Sequence, residues 1–439
     1  MMDQTQTRPA AGIAAPLLFT ATLLFYLVTL TPFIDLSAAA AGDAATAKSN
    51  TLNQVVYLGL TAALWLTVFR SSARHLAARP RGILIVMLIW FGFVSALSAQ
   101  PDLALKRVFL AMLTLVNGSI LLLLPRSERQ FAGMLTLCCL GALALAYLGV
   151  ALMPHLAIHQ AGEIREPMNA GLWRGHFAHK NVAAAAMVVI SFVGLYLFGT
   201  GRRILGGAMV LPAAVFLAQT GGKSAIAALP GILAIAWAFE RWRTLRVPMV
   251  VLGIAAINIL TIGCAMSPTL RGLIAQLGID PTFTNRVDIW KIGANAVLDK
   301  PLTGHGFQLF WQTDAMVHKG GAAAGWAYAA FNGHNAYLDM AITTGIPGLA
   351  LTLVLIVWLP LRAIARAEAT ANDPALTRLF VRIWLYGILA ACVESLFFQS
   401  GSLIWFMLVV AIFGLHLQAS AHEIREPANH PHGMEPAHA

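Results

Sequence analysis

Two parts of this sequence gather residue types that handle anions and protons. The first is Trp173-Arg174-Gly175-His176-Phe177-Ala178-His179-Lys180-Asn181, which stands immediately before a long apolar run. A helix starting at Lys180 would aim free backbone N–H groups and the positive end of its dipole at the same place as Arg174, His179 and Lys180, so its natural ligand is an anion. The plainer reading is that Lys180 is an anchor at a lipid interface. The crowding of cations into one short stretch favours the anion site. Gly222-Lys223-Ser224 opens another apolar run. It lacks the first glycine of a nucleotide phosphate loop, because position 217 is Leu, and no strand precedes it. A lysine at a helix start still suits a diphosphate, as it also suits an interfacial anchor.

The second part lies further on. Arg286 begins an amphipathic stretch, Gly304-His305-Gly306 follows, and Phe331-Asn332-Gly333-His334-Asn335 comes directly before another apolar run. Glycines beside a histidine allow a backbone to approach a ligand closely. A histidine there can act as a general base near neutral pH, although a lone interfacial His is more often structural. Asn335 and Asp339 are placed to orient the His334 ring. Glu394 falls near the end of an apolar run, where an ionisable group signals either a functional site or a partner for a nearby cation. Asp280, Asp288, Asp299 and Asp314 are too dispersed to suggest a divalent metal site, so no metal or other cofactor is expected.

The elements that must position these residues are membrane helices. Apolar residues make up 58% of the 439 and charged residues only 11%, against about 25% charged in a soluble protein. Mean hydropathy is +0.72. A net charge of +10 comes from basic residues scattered between apolar spans, which argues for loop charges that orient a membrane protein and against nucleic-acid binding. Twelve stretches approach the length needed to cross the ~30 Å hydrocarbon layer: 13–34, 52–69, 82–98, 108–124, 131–153, 181–198, 204–218, 224–239, 247–266, 338–361, 379–397 and 402–418. The first is too long for the core of a cleaved signal.

With the N-terminus in the cytoplasm, 17 of the 29 basic residues fall on that side, all of them arginine, and the C-terminus is cytoplasmic too. The organisation is then nine helices in 1–266, an outer loop of 267–337, three helices in 338–418 and a polar tail, 419–439, expected to be disordered. Within the loop, Asn285 is placed to cap a helix carrying Val287, Trp290, Ala294 and Val297 at spacing three to four, ending at Asp299-Lys300-Pro301. Such a helix is expected to lie in the membrane–water interface. The four cysteines sit in apolar stretches and suggest neither a disulfide framework nor a metal site.

Four segments in order carry a resemblance: Asn285-Arg286-Val287-Asp288-Ile289-Trp290, Pro301-Leu302-Thr303-Gly304-His305-Gly306, Gly333-His334-Asn335-Ala336-Tyr337-Leu338 and Gly345-Ile346-Pro347-Gly348-Leu349. Together they resemble the O-antigen ligase and polysaccharide polymerase family. The Trp173–Asn181 stretch is similar to an element of its exopolysaccharide-polymerase branch, and the layout of spans and large loop also fits. The resemblance implies an all-α, membrane-embedded glycosyltransferase of the GT-C type in a bacterial inner membrane, with its site facing the periplasm. The implied donor is a glycan on undecaprenyl diphosphate, the acceptor a glycan or lipid, and a chain-length regulator a possible partner. Family arginines that hold the diphosphate map onto Arg286 and, with a change of residue type, onto Lys223. Lysine is a point charge without the planar fork of arginine. The family's essential histidine maps onto His334.

Three activities remain open at this stage: a polymerase that uses a second lipid-linked oligosaccharide as acceptor, a ligase that uses the lipid A core, and a lipid-linked sugar transporter. The His-Lys-Asn element favours the polymerase. The gathering of charge at one face, and not along a central cavity, favours an enzyme.

Overall fold

The structure, a computed structural model, describes residues 14–36, 43–163, 166–276, 278, 280–283, 286–313, 316, 326–370 and 373–425. Asn285 and Asp314 lie outside them. The chain is an all-α polytopic membrane protein. Among the described residues eight helices are long and apolar enough to cross a membrane: Thr51–Phe69, Pro101–Leu121, Glu128–Leu152, Lys180–Gly199, Lys223–Arg241, Arg243–Met266, Ala336–Ala369 and Leu403–Ser420. The shorter apolar helices Ala14–Leu27, Arg81–Ala96 and Arg203–Gln219, with Pro374–Ala390, occupy the remaining stretches read from the sequence.

Hydrogen bonds between loops show which turns share an end of the bundle. Phe33 N donates to His176 O (3.4 Å), Trp173 N to Gln219 O (3.0 Å) and Ala336 N to Ala391 O (2.8 Å). Arg286 Nη1 donates to Val393 O (2.6 Å). The turns after the first, fifth, seventh, ninth and eleventh helices therefore lie at one end, as alternating spans require. At the opposite end Ala78 N donates to Ser119 Oγ (2.8 Å) and Tyr196 OH to Asp373 Oδ2 (3.1 Å). Arg246 grips Glu368 there with both terminal nitrogens (3.0 and 2.8 Å).

The helices Lys180–Gly199 and Leu403–Ser420 are the inner staves, with 72% and 89% of their membrane windows buried, whereas Thr51–Phe69 and Lys223–Arg241, at 22%, face outward. Small residues let the inner staves pack closely. A Cβ on Gly206 would stand 2.7 Å from Gly194 O, so the hairpin of Lys180–Gly199 and Arg203–Gln219 closes only because both positions are glycine.

The helix that begins at Ala336 is broken at Gly345, whose φ of 70° and ψ of 177° suit only glycine. The loop residues 301–306 repair the interrupted ladder. His305 N donates to Ile342 O (2.9 Å), Gly306 N to Thr343 O (3.0 Å), and Ile346 N donates to Pro301 O (2.8 Å). Trp90 Nε1 takes Thr344 O (3.0 Å). Four backbone groups at the break thus find partners inside the protein, as non-helical backbone at membrane depth requires.

Several boundaries differ from the sequence reading. The first helix stops at Leu27, short of residue 34; Thr29 takes positive φ and Pro32 cannot extend the ladder. The Arg286–Asp299 helix forms, but its apolar stripe does not face lipid. Val287, Trp290 and Ala296 pack with Ala265, Leu338 and Ile342, so protein covers it. The eleventh helix ends at Ala390, not at 397, because the carbonyls beyond it are taken by Ala336, Asn335 and Arg286. The last helix continues to Arg425, into the stretch expected to be a disordered tail. Nothing between Gln418 and Arg425 is a Gly or Pro. Residues 426–439 of that tail lie outside the described residues.

Candidate active site

The start of one helix and the end of another meet around His334. Asn335 caps the Ala336–Leu353 helix: its Oδ1 accepts from Leu338 N (2.9 Å). Its amide Nδ2 donates to Cys392 O and to Asn258 Oδ1, both at 2.8 Å. This residue is fully buried, so it fixes the joint between the Ala336–Leu353 and Pro374–Ala390 helices and does not touch the His334 ring. Asp339, one turn along, is also committed. Its Oδ1 accepts from Trp311 Nε1 (2.7 Å) and Gly333 N (3.0 Å), and its Oδ2 accepts from Ser395 Oγ. Trp290 Nε1 donates to Gly333 O (2.9 Å). The expectation that Asn335 and Asp339 orient the ring is therefore corrected: they hold the backbone on either side of it.

That grip has a purpose visible in the backbone. His334 sits at φ 46°, a left-handed conformation that costs a non-glycine residue about 1–2 kcal/mol. Gly333 and Asn335 are pinned, and His334 N donates to Asn332 Oδ1 (3.1 Å). The turn consequently lifts the His334 side chain toward Glu394. The ring nitrogen Nδ1 stands 3.5 Å from Glu394 Oε2, an ion-pair contact too long to close a hydrogen bond. Nε2 is left for another partner.

Glu394 lies beyond the end of its helix and not inside a span. Its other oxygen, Oε1, accepts from Arg286 Nη2 (3.1 Å). Arg286 also donates from Nη1 to Val393 O. Burial opposes ionisation of Glu394, but His334 and Arg286 together outweigh it and hold the carboxyl below the ordinary carboxylate range. One carboxylate thus bridges the cation and the imidazole that the sequence singled out separately. Arg286, His334 and Glu394 are all partly open, at 22%, 35% and 34% exposure, so a ligand can reach them.

His305 serves a different end. Its Nε2 lies 3.0 Å from Ala296 O, and its glycine neighbours approach the broken helix: a Cβ on Gly304 would stand 2.6 Å from the Thr343 carbonyl carbon. The close approach expected for a ligand is an approach to this chain's own helix.

The second polar group forms around the start of the Lys180–Gly199 helix. His179 caps it, with Nδ1 accepting from Asn181 N (3.1 Å) while Nε2–H donates to Glu166 Oε2 (2.8 Å). A buried histidine not singled out in the sequence, His159, pairs through Nδ1 with Glu163 (2.6 Å) and accepts Lys180 N on Nε2 (3.2 Å). Burial holds its pKa below the ordinary histidine value, consistent with a neutral ring donating to one partner and accepting from the other. Arg174 is 1% exposed. Its guanidinium clasps Ile34 O (2.6 Å) and Phe177 O (3.4 Å), so it ties the loop after the first helix to this segment. Lys223 is exposed at the start of the Lys223–Arg241 helix, and Lys180 feels the attraction of Glu166 and, more weakly, the repulsion of Lys223.

Asn258, Trp311 and Ser395 are supports that the sequence reading did not name. Only Asn258 carried a signal, being a lone amide within an apolar span.

No curated protein matches the chain. A family model described as O-antigen ligase matches residues 207–353, about a third of the chain. The match takes in Lys223, Arg286, His305, His334, Asn335, Asp339 and the broken helix at Gly345, and stops short of Glu394. Over this segment the chain is similar to the O-antigen ligase family, in line with the resemblance carried by the four sequence segments.

Proposed function

We propose that this protein is a polymerase that joins undecaprenyl-diphosphate-linked oligosaccharide units into a surface polysaccharide. It works at the periplasmic face of a bacterial inner membrane by metal-independent, inverting glycosyl transfer. The likeness of residues 207–353 to the O-antigen ligase family supports the coarser part: glycosyl transfer of the ligase or polymerase type, on a lipid-linked glycan. The observation that carries the finer part is the placement of Arg286 and His334 on opposite oxygens of one carboxylate, at an accessible joint between helices.

The chemistry follows from charge. An enzyme outside the cell has no nucleotide to spend, so the donor must bring its own leaving group. As the bond from the anomeric carbon to the diphosphate oxygen breaks, the electron pair leaves with the lipid diphosphate. Arg286, aided by Lys223 and Lys180, stabilises that charge most when it is fully developed. The acceptor hydroxyl oxygen attacks the anomeric carbon from the opposite side while its proton passes to Nε2 of His334. The lipid tail lies along the apolar flank of the helices. The nearest described carboxylates, Glu394 and Asp339, are spent on other protein groups, which favours cations over a bound metal as the neutralising device.

The His179-Lys180-Asn181 element supports the polymerase over the ligase. Purified protein given only undecaprenyl-diphosphate oligosaccharide should make a ladder of lengthening lipid-linked products. A ligase would make none until lipid A core is supplied. Movement of the lipid between leaflets without any transfer would overturn the enzyme reading. Sidedness is tested separately in a cysteine-free background: Met168→Cys should label with an impermeant thiol reagent in intact spheroplasts, and Ala77→Cys should not.

A further inference from the structure

We infer that Glu394 is a switching counter-ion: it neutralises Arg286 while the site is empty and, when a diphosphate takes Arg286, is released to His334 to position and charge-match the base. The inference rests on the proposed function, and deepens it by tying base activation to donor binding.

The geometry is that of one carboxylate with two partners and unequal grips. Oε1 is within hydrogen-bond reach of Arg286 Nη2 at 3.1 Å, while Oε2 stops at 3.5 Å from His334 Nδ1. His334 Nδ1 is buried and has no hydrogen-bond partner, a vacancy that costs free energy unless something fills it. Only a small displacement of the Glu394 side chain separates the slack contact from a closed one. Arg286 would not be lost in the exchange, because Val393 O holds its second terminal nitrogen independently. A diphosphate offers the guanidinium several oxygens in bidentate geometry and outcompetes a single carboxylate oxygen.

Other charged groups do not duplicate the role. Facing Glu394 are Arg286, His334 and, through its field, Tyr386. Facing His334 are Glu394 and, through its field, Asp339. The carboxylate of Asp339 is already held by Trp311, Gly333 and Ser395. Among the described residues Glu394 alone touches both partners. Once turned to Nδ1–H, it fixes the tautomer that leaves Nε2 free to take the acceptor proton, and stabilises the imidazolium that results. The acceptor proton ends on Nε2, and Glu394 itself neither gains nor loses one.

The test is Glu394→Gln, with binding and turnover read separately. A merely structural ion pair, once removed, loosens Arg286 and weakens diphosphate binding. A competing counter-ion, once removed, frees Arg286, so undecaprenyl diphosphate alone should bind about two- to fivefold tighter. Turnover should nonetheless fall about tenfold or more. Glu394→Asp, which keeps a carboxylate beside the ring, should recover most of the turnover that Glu394→Gln loses. The gain in binding should vanish in an Arg286→Ala background. Weaker diphosphate binding in E394Q, or turnover no better in E394D than in E394Q, overturns the switch. Tighter binding in E394Q by a protein that transfers no sugar would support the competition for Arg286 and overturn the glycosyltransferase reading instead.

Discussion

Around His334 the polar groups hold one another. Arg286 is matched by Glu394 and Val393 O, Asp339 by three donors, and Asn335 by three partners from three parts of the chain. At the starts of the Lys180–Gly199 and Lys223–Arg241 helices the arrangement is looser. The imidazoles and carboxylates there pair off as His159–Glu163 and His179–Glu166, while Lys180 feels Glu166 and Lys223 only through their fields. Among the described residues no hydrogen bond or ion pair joins Lys180 or Lys223 to Arg286, His334 or Glu394. A network in which the backbone around the base is held on both sides suits a proton transfer, which is lost with small displacements. Cations at two helix starts, held by fields and not by closed ion pairs, suit the capture of a ligand that brings its own charge. Under the proposed function, turnover belongs to the first region and recruitment to the second.

The sharpest way to break that assignment is His334→Ala. Turnover should fall by ~10²–10⁴, the usual contribution of a general base, with undecaprenyl diphosphate binding nearly unchanged in a direct titration. Parallel loss of both would move His334 out of the proton-transfer role. Next in size is Arg286→Ala, which removes a charged hydrogen-bonding partner and should cost on the order of 1.5–3 kcal/mol of transition-state stabilisation in kcat/KM. An effect smaller than that of Lys223→Ala would reverse the ranking of the two regions.

Gly345→Ala probes the scaffold under the first region. The new Cβ would stand 2.0 Å from Leu302 O at a backbone angle only glycine tolerates, so thermal unfolding in detergent should report a loss of order 1–3 kcal/mol. His305→Ala, which gives up one contact to Ala296 O, should lose about 1 kcal/mol by the same measure. The lysines should matter less. Lys223→Ala is expected to raise KM by less than about tenfold, an effect that shrinks as salt rises because an exposed charge is screened. Lys223→Arg should restore it. A large effect on kcat that ignored salt would place Lys223 in the chemistry. The smallest expected effect is none: EDTA should leave activity intact, and loss restored by Mg²⁺ or Mn²⁺ would refute metal-independent transfer.

Much of this architecture can be read directly from the order of the residues. Twelve apolar runs, their short connections and the one-sided arginines follow from the cost of placing unsatisfied backbone or charge in hydrocarbon, a rule that acts on each segment by itself. The amphipathic period of residues 286–299 is likewise local, and the helix forms where the pattern puts it. Arg286, His334 and Glu394 stood out because polar groups at the ends of apolar runs are costly unless used.

What each of them touches was decided only by the tertiary structure. Glu394 and Arg286 are 108 positions apart, and no periodicity encodes a meeting at that separation. The amphipathic helix shows a stripe in the sequence but not what covers it, since lipid and protein satisfy an apolar face equally well. His305 and His334 both follow a glycine in the chain. One closes a break in a helix and the other stands free beside a carboxylate, because the partners of a loop come from whichever helices the bundle packs against it.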